Sequence, residues 1–399
     1  MSKERKGLKR ELQQLSPPDE LEAQRRVWPV VRGAFEGREP VSWHRRNVRP
    51  LALAAAAVVV GAAALSAPGR AFVGDVRDAI GEDAPAPKPK RVLASLPTGG
   101  TLLVNSPRGP WIVQPDGSRR LLGRYWEGSW SPRAQHVIVT RAREITAVKP
   151  NGVIRWTIGR PRRITGARWS PDGFRVAYLT GTELRVVAGD GTGDKVLRNR
   201  VATTPPAWRP GANHQLVFGT VDGQIALAQT DTGVTRWRAP VGEAARQLVW
   251  SEDGQRLLAL GERYLRIFDA KGTELGVLGL PLGPSGAAFV RKSHRFVLIR
   301  WQPATGRSEL VLMDAESERG EERSLFSAAG EFETLAVSPN GRWLLVGWVG
   351  ADQWLFLRLD ALRVRAVSNI AEQFGGPRRD RPLSAHFPSS VSWCCPASP

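Results

Sequence analysis

Six copies of one short turn set the limits on what this chain can fold into. The clearest is Trp169-Ser170-Pro171-Asp172-Gly173, followed by Phe174-Arg175-Val176-Ala177-Tyr178-Leu179. Pro171 fixes φ at a turn corner, Asp172 can hydrogen-bond its own backbone, and Gly173 accepts the left-handed conformation that closes a hairpin. The residues after it are β-branched, aromatic and apolar, as expected of a strand buried on both faces. The unit therefore reads as strand, tight turn, strand.

The same unit recurs with anchors at Trp130, Trp208 and Trp250, the last running into Gly254, and in degenerate form at Phe289 and at Val337, which runs into Gly341. Anchor spacings are about 39, 39, 42, 39 and 48 residues, near the ~40–45 of a four-stranded propeller blade. With these turns the chain resembles the TolB-like and WD-repeat-like β-propellers, and the resemblance covers roughly residues 93–399. It implies an all-β propeller. It implies little about activity, because such propellers serve as scaffolds, ligand binders and appendages to enzymes.

A first unit lacks its own Trp-Ser-Pro strand. It has Thr101-Leu102-Leu103-Val104, then Trp111-Ile112-Val113-Gln114, the turn Pro115-Asp116-Gly117, and Leu121-Leu122. The far end holds a spare strand, Ser390-Val391-Ser392-Trp393-Cys394. A ring must join its ends, and this strand would complete the first blade while removing two exposed sheet edges. Seven blades are expected, or six if the composite unit does not form, with no helix between the anchors.

Ahead of the propeller, residues 51–67 are uncharged and rich in Ala, Val and Leu, about 25 Å of helix, the short end of a membrane span. Arg45, Arg46 and Arg49 precede it and only Arg70 follows closely, so residues 1–50 are expected in the cytoplasm and the propeller outside. A cleaved signal peptide is the competing reading, but its basic region would be unusually long. Residues 1–50 form a basic tail with a helix entrance at Ser16-Pro17-Pro18, and residues 68–92 a juxtamembrane helix and a Pro-rich spacer.

The chain carries a formal net charge of +19, about +13 of it within residues 93–399. Arg greatly outnumbers Lys, as in products of GC-rich genomes, and no basic run is interleaved with aromatics, which argues against nucleic acid. The expected partners are a protein or an anionic cell-envelope component, met by long-range attraction. No zinc-protease, nucleophile-elbow or phosphate-loop motif is present, so no catalytic residue, cofactor or metal is expected. An enzyme using the central channel, a hydrolase or lyase, is the alternative. The hydrolase domain that accompanies propellers in prolyl-oligopeptidase-type enzymes has no room before Pro399.

Four minor features remain. His136, His214 and His294 fall at equivalent places on one rim and read as solvated turn residues. The turn Asp190 to Asp194 offers carboxylates to calcium, though hairpins use the same residues. Gly152 to Trp156 and Thr232-Gly233 to Trp237 are similar to the tryptophan-docking repeat of quinoprotein propellers, but two units are too few to imply the quinone. Adjacent Cys394 and Cys395 read as reduced or locally paired strand residues.

Overall fold

A computed structural model describes residues 93–395 apart from 213, 284, 317–320, 362 and 376–381. The expected tail, membrane span and spacer lie outside the described residues. Among those described, no helix is long and apolar enough to cross a membrane.

Twenty-eight strands form seven four-stranded antiparallel sheets. The blade carrying Trp169 comprises β8 (Ile164–Trp169), β9 (Arg175–Thr180), β10 (Glu183–Ala188) and β11 (Lys195–Arg198). The blade before it runs from β4 (Glu127–Trp130) to β7 (Ile154–Gly159). Later blades begin with β12 (Ala207–Trp208), β16 (Gln247–Trp250), β20 (Gly286–Phe289) and β24 (Phe332–Val337). These first strands touch one another in a closed ring about a central channel, joined by β28 (Ser390–Cys394) between β24 and β4.

The expected closure is present. Strand β28 pairs with β1 (Thr101–Ser106), Cys394 opposite Thr101 and Ser390 opposite Asn105, and β2 (Gly109–Val113) and β3 (Arg119–Leu121) complete that blade. Trp393, one residue from the end of the innermost strand, supplies a seventh anchor. The interval of about 48 residues before Val337 reflects longer strands: β21 (Arg295–Gln302), β22 (Arg307–Asp314) and β23 (Glu322–Ala329) have eight residues each.

Burial follows position in the blade. Second and third strands such as β9 are almost wholly buried, whereas outer strands such as β7 alternate between exposed and partly covered. The turns form as their residues dictate. Gly173 sits at φ +81° and donates to the carbonyl of Ser170, and the Asp172 carboxylate accepts the amide of Phe174 at 2.9 Å. Ser170 is fully buried and accepts the Arg175 amide at 2.9 Å, an arrangement repeated at Ser251 and Ser338.

One short helix stands outside the repeats. Helix α1 (Ile370–Gly375) lies after the last repeat anchor, in the connection from β27 (Val364–Ser368) to β28. Its Phe374 stacks on Trp354 at 4.9 Å, and both belong to an apolar cluster that also holds Leu102, Val104 and Trp393. The helix thus fills the joint where the two chain ends of the ring meet.

Candidate functional site

Strand direction sorts the connections onto two rims. The turn rim carries the Trp-Ser-Pro-Asp-Gly turns and the hairpins between third and fourth strands. The opposite rim carries the remaining hairpins and the links between blades.

On the turn rim, two histidines are not simply solvated. His214 Nε2 lies 2.7 Å from Asp172 Oδ2 in the preceding blade, and its Nδ1 lies 2.5 Å from Asp231 Oδ2. His294 repeats the arrangement between Asp253 of the preceding blade, at 2.7 Å, and Glu316. Burial pushes the Asp253 carboxyl upward, but hydrogen bonds from Ser251 and the Gln255 amide, with His294, outweigh it and hold the group at about 2. His136 occupies the same station, and among the described residues no carboxylate is within ion-pair distance of it. The blade before it is the composite one, whose corresponding turn is replaced by the chain ends, and His136 packs against Trp169 instead. Burial, then Arg155 and Lys149, lower its pKa.

Other features resolve as structural. Trp156 and Trp237 donate their indole N–H to the carbonyls of Gly189 and Ala270 in the next blade, at 2.9 and 3.1 Å, so both docking repeats fasten neighbouring sheets. Asp194 is engaged by Tyr178, Arg185 and Arg160, and Asp190 accepts from Thr192, which leaves that turn's carboxylates committed to protein partners. Among the described residues no group of three His, Cys, Asp or Glu is placed to hold a metal. Cys394 and Cys395 are bonded to each other at the end of β28.

The channel holds a cavity of about 800 Å³, and Trp130, Trp169, Trp208 and Trp250 line it together with Pro205 and Arg168. The anchors thus end their strands where the sheets meet and also face the central space. Phe289 and Val337 hold the same register position, and Gly254 and Gly341 close their turns at φ +68° and +69°.

Each innermost strand pairs with a neighbour along one edge only. Several boundaries between blades are held by amide side chains. Asn105 accepts from the Gly128 amide at 2.7 Å and donates to its carbonyl at 3.1 Å, and Gln247 does the same with Ala287 at 3.1 and 3.0 Å. These reciprocal bonds, buried at Asn105 and partly buried at Gln247, satisfy strand groups that would otherwise go without partners.

Arg168 has no equivalent in the other blades. Strand β8 shifts register between Thr165 and Arg168, a bulge with Gly166 at φ +61°, where the chain passes so near Pro205 that a Cβ would meet its Cα at 3.1 Å. The Gly166 amide donates to Glu127 Oε1 at 2.5 Å, and the Arg168 carbonyl accepts the Trp208 indole N–H at 2.9 Å. Bulges of this kind re-aim a side chain. The guanidinium donates to the carbonyl of Ala167 at 2.8 Å, and among the described residues no carboxylate lies within ion-pair distance. Burial depresses its pKa, with Glu127 acting in the opposite sense.

The mouth on the opposite rim is polarised. Arg124, Arg162 and Arg163 are exposed in links between blades and Arg141 and Arg143 at the hairpin between the second and third strands of the second blade, with Arg163 over the half-exposed Trp126 ring at 4.2 Å. None of the five is ion-paired among the described residues. Across the channel stand Arg246, 3.0 Å from Glu262, and Glu333, whose carboxyl is raised by burial and by Glu331. Sequence reasoning did not single out Arg168, Glu127 or this arc. An Arg standing before a Trp anchor, where other units have Ser, Ala or Val, was the available signal.

These features define a seven-bladed, four-stranded β-propeller with a lined channel, a fold consistent with a binding or scaffolding module. No family model matches the chain. It is 25% identical over 210 residues to the uncharacterized peptidase YuxL of Bacillus subtilis, a match covering 50% of this chain and 24% of that protein. A functionally unknown protein from Desulfotomaculum acetoxidans superimposes with a TM-score of 0.55 at 11% identity, over 75% of this chain and all of the other. The WD40 domain of Toxoplasma gondii coronin gives 0.49 at 13% identity over 61% and 70%. The Cps50 (Swd1) propeller domain of Myceliophteria thermophila gives 0.49 at 12% over 61% and 86%.

Proposed function

We propose that this chain is a TolB-like propeller carried on the outer side of a cell membrane by residues 51–67, with residues 1–50 inside. It acts as a non-catalytic binding module for a protein or an anionic envelope component. The observation that carries this reading is the channel of about 800 Å³ lined by Arg168, with exposed arginines on one rim, none of these cations ion-paired among the described residues. Such a field attracts acidic partners over a Debye length of about 8 Å at physiological salt. Protease added to intact cells should digest the propeller or its spacer and spare residues 1–50. Propeller released to the medium without protease, or protected until the cells are broken, would overturn the placement.

The polarised mouth supports a second reading. A carboxyl raised by burial and by a neighbouring carboxylate, as Glu333 is beside Glu331, suits a general acid, and the fold would then host a hydrolase or lyase at the channel. The YuxL match agrees with this reading only in name, since it spans a quarter of that protein. Incubation with cell-envelope polymers and peptides should leave them intact under the first reading. Cleavage that disappears in Glu333→Gln would establish the second.

A further inference from the structure

We propose that the channel contains a receptor site for a single carboxylate, seated on the Arg168 guanidinium. The inference rests on the binding-module reading and adds the chemistry of what is bound.

Three observations lead to it. At the register position preceding each anchor, the other innermost strands carry Ser129, Ala207, Val249, Ala288, Ala336 and Ser392, so the ring at this level holds one cation among small side chains. Space is therefore left before the guanidinium. Second, Glu127 is close enough to influence Arg168 but spends its Oε1 on the Gly166 amide and the Thr140 hydroxyl, and does not pair with the cation. Third, the guanidinium uses one N–H on Ala167, and the bulge that positions it is held by bonds to Glu127 and from Trp208 that do not involve its side chain. A planar fork with donors to spare, half-buried in the channel wall, matches a carboxylate in charge and in geometry.

The charge balance selects among anions. One guanidinium compensates one negative charge. Because Glu127 already stands near that cation, a monocarboxylate leaves one negative charge in excess and a phosphate dianion two, and uncompensated charge in a lined channel is costly. The surrounding Trp130, Trp169, Trp208, Trp250 and Pro205 suit an apolar body behind the carboxylate. That carboxylate can belong to a small free acid or to the end of a polypeptide. The arc at Arg124, Arg141, Arg143, Arg162 and Arg163 would draw either toward the mouth without fixing it.

The test uses the full chain and titrates it with phenylacetate, acetate, inorganic phosphate, a tetrapeptide with a free C-terminus and the same peptide amidated, followed by calorimetry and ligand-observed NMR. A monocarboxylate should bind, and Arg168→Gln should weaken it by about tenfold or more, the loss of a charge-assisted pair. Arg168→Lys should recover part of the affinity, and the Arg141→Gln/Arg143→Gln pair should change the dissociation constant less than Arg168→Gln does. Binding by phenylacetate or acetate supports the site with a free acid as its source, and binding by the free peptide alone supports it with a polypeptide end. No binding by any carboxylate, equal binding by Arg168→Gln of unchanged melting temperature, or phosphate binding as tight as carboxylate would overturn the site. Failure of the site with envelope components still bound leaves the module reading standing. A carboxylate bound at Arg168 and then chemically turned over would remove the non-catalytic reading and keep the site.

Discussion

Deleting residues 388–399 should abolish the single sharp unfolding transition of the propeller and leave a protein that aggregates or melts broadly. Strand β28 closes the ring through five paired positions with β1, and without it β1 becomes an uncovered innermost edge. The deletion also removes Val391 and Trp393, both more than nine-tenths buried, from the cluster that joins α1 to the first and last blades. Trp393 meets Phe356 edge to face at 5.8 Å. Truncating a buried Trp costs about 3–5 kcal/mol, a large share of the 5–15 kcal/mol that holds a typical domain together. Trp393→Ala alone should therefore lower the urea midpoint strongly while keeping one transition. The deletion should lose the transition itself. A truncated chain that melts as sharply and as high as the full one would show that the ring does not need this strand.

The ring was legible because its repeat is written in local chemistry. The fullest turns carry Pro, Asp or Asn, and Gly within five residues, and an apolar run follows every anchor, so the unit declares itself even where Ala134 or Lys292 takes the left-handed place of Gly. Closure was legible for a related reason: the first unit lacked an innermost strand and the C-terminus had one to spare. Helix α1 was not legible, because six residues held by Phe374 on Trp354 and by the Asp352 carboxylate accepting the Ala371 amide show no helical period. The channel site was hidden for a different reason. The bulge that positions Arg168 depends on Glu127, thirty-nine residues from Gly166. The histidine clasps were half visible, since the spacing put His214 and His294 at equivalent stations, while one carboxylate of each came from the preceding blade and the other from a separate hairpin of the same blade.

Acid should loosen the propeller between about pH 4 and pH 2, and the partly buried cluster at Asp194 should set most of the effect. Burial alone would raise the Asp194 pKa, but hydrogen bonds from Arg185 and Tyr178 and the charge of Arg160 hold it below the ordinary carboxylate range. Asp172, Asp231, Glu309 and Glu316 are also depressed, and Asp253 stands at about 2. In the unfolded chain these carboxylates take up protons near pH 4. The folded protein takes them up only at lower pH, so across this window the unfolded state binds more protons and stability falls as pH falls. The stabilisation is complete above the unfolded values and is lost on passing the folded ones.

Exposure ranks the contributions. Asp253 and Glu316 are about half exposed and solvent screens them, whereas the Asp194 side chain is 11% exposed and lies 2.5 Å from Arg185. Asp194→Asn strands the Arg160 guanidinium without its counter-charge and leaves Arg185 only the more exposed Glu183 at 3.3 Å, a loss of about 3 kcal/mol at neutral pH. It should flatten the acid limb, because its principal titrating group is gone. Urea midpoints of the full chain and Asp194→Asn at pH 7, 5, 4 and 3 in constant salt measure both effects. Midpoints of the full chain that do not fall between pH 4 and 3, or an Asp194→Asn variant with an undiminished acid dependence, would mean that the clasps between blades carry no linked stability.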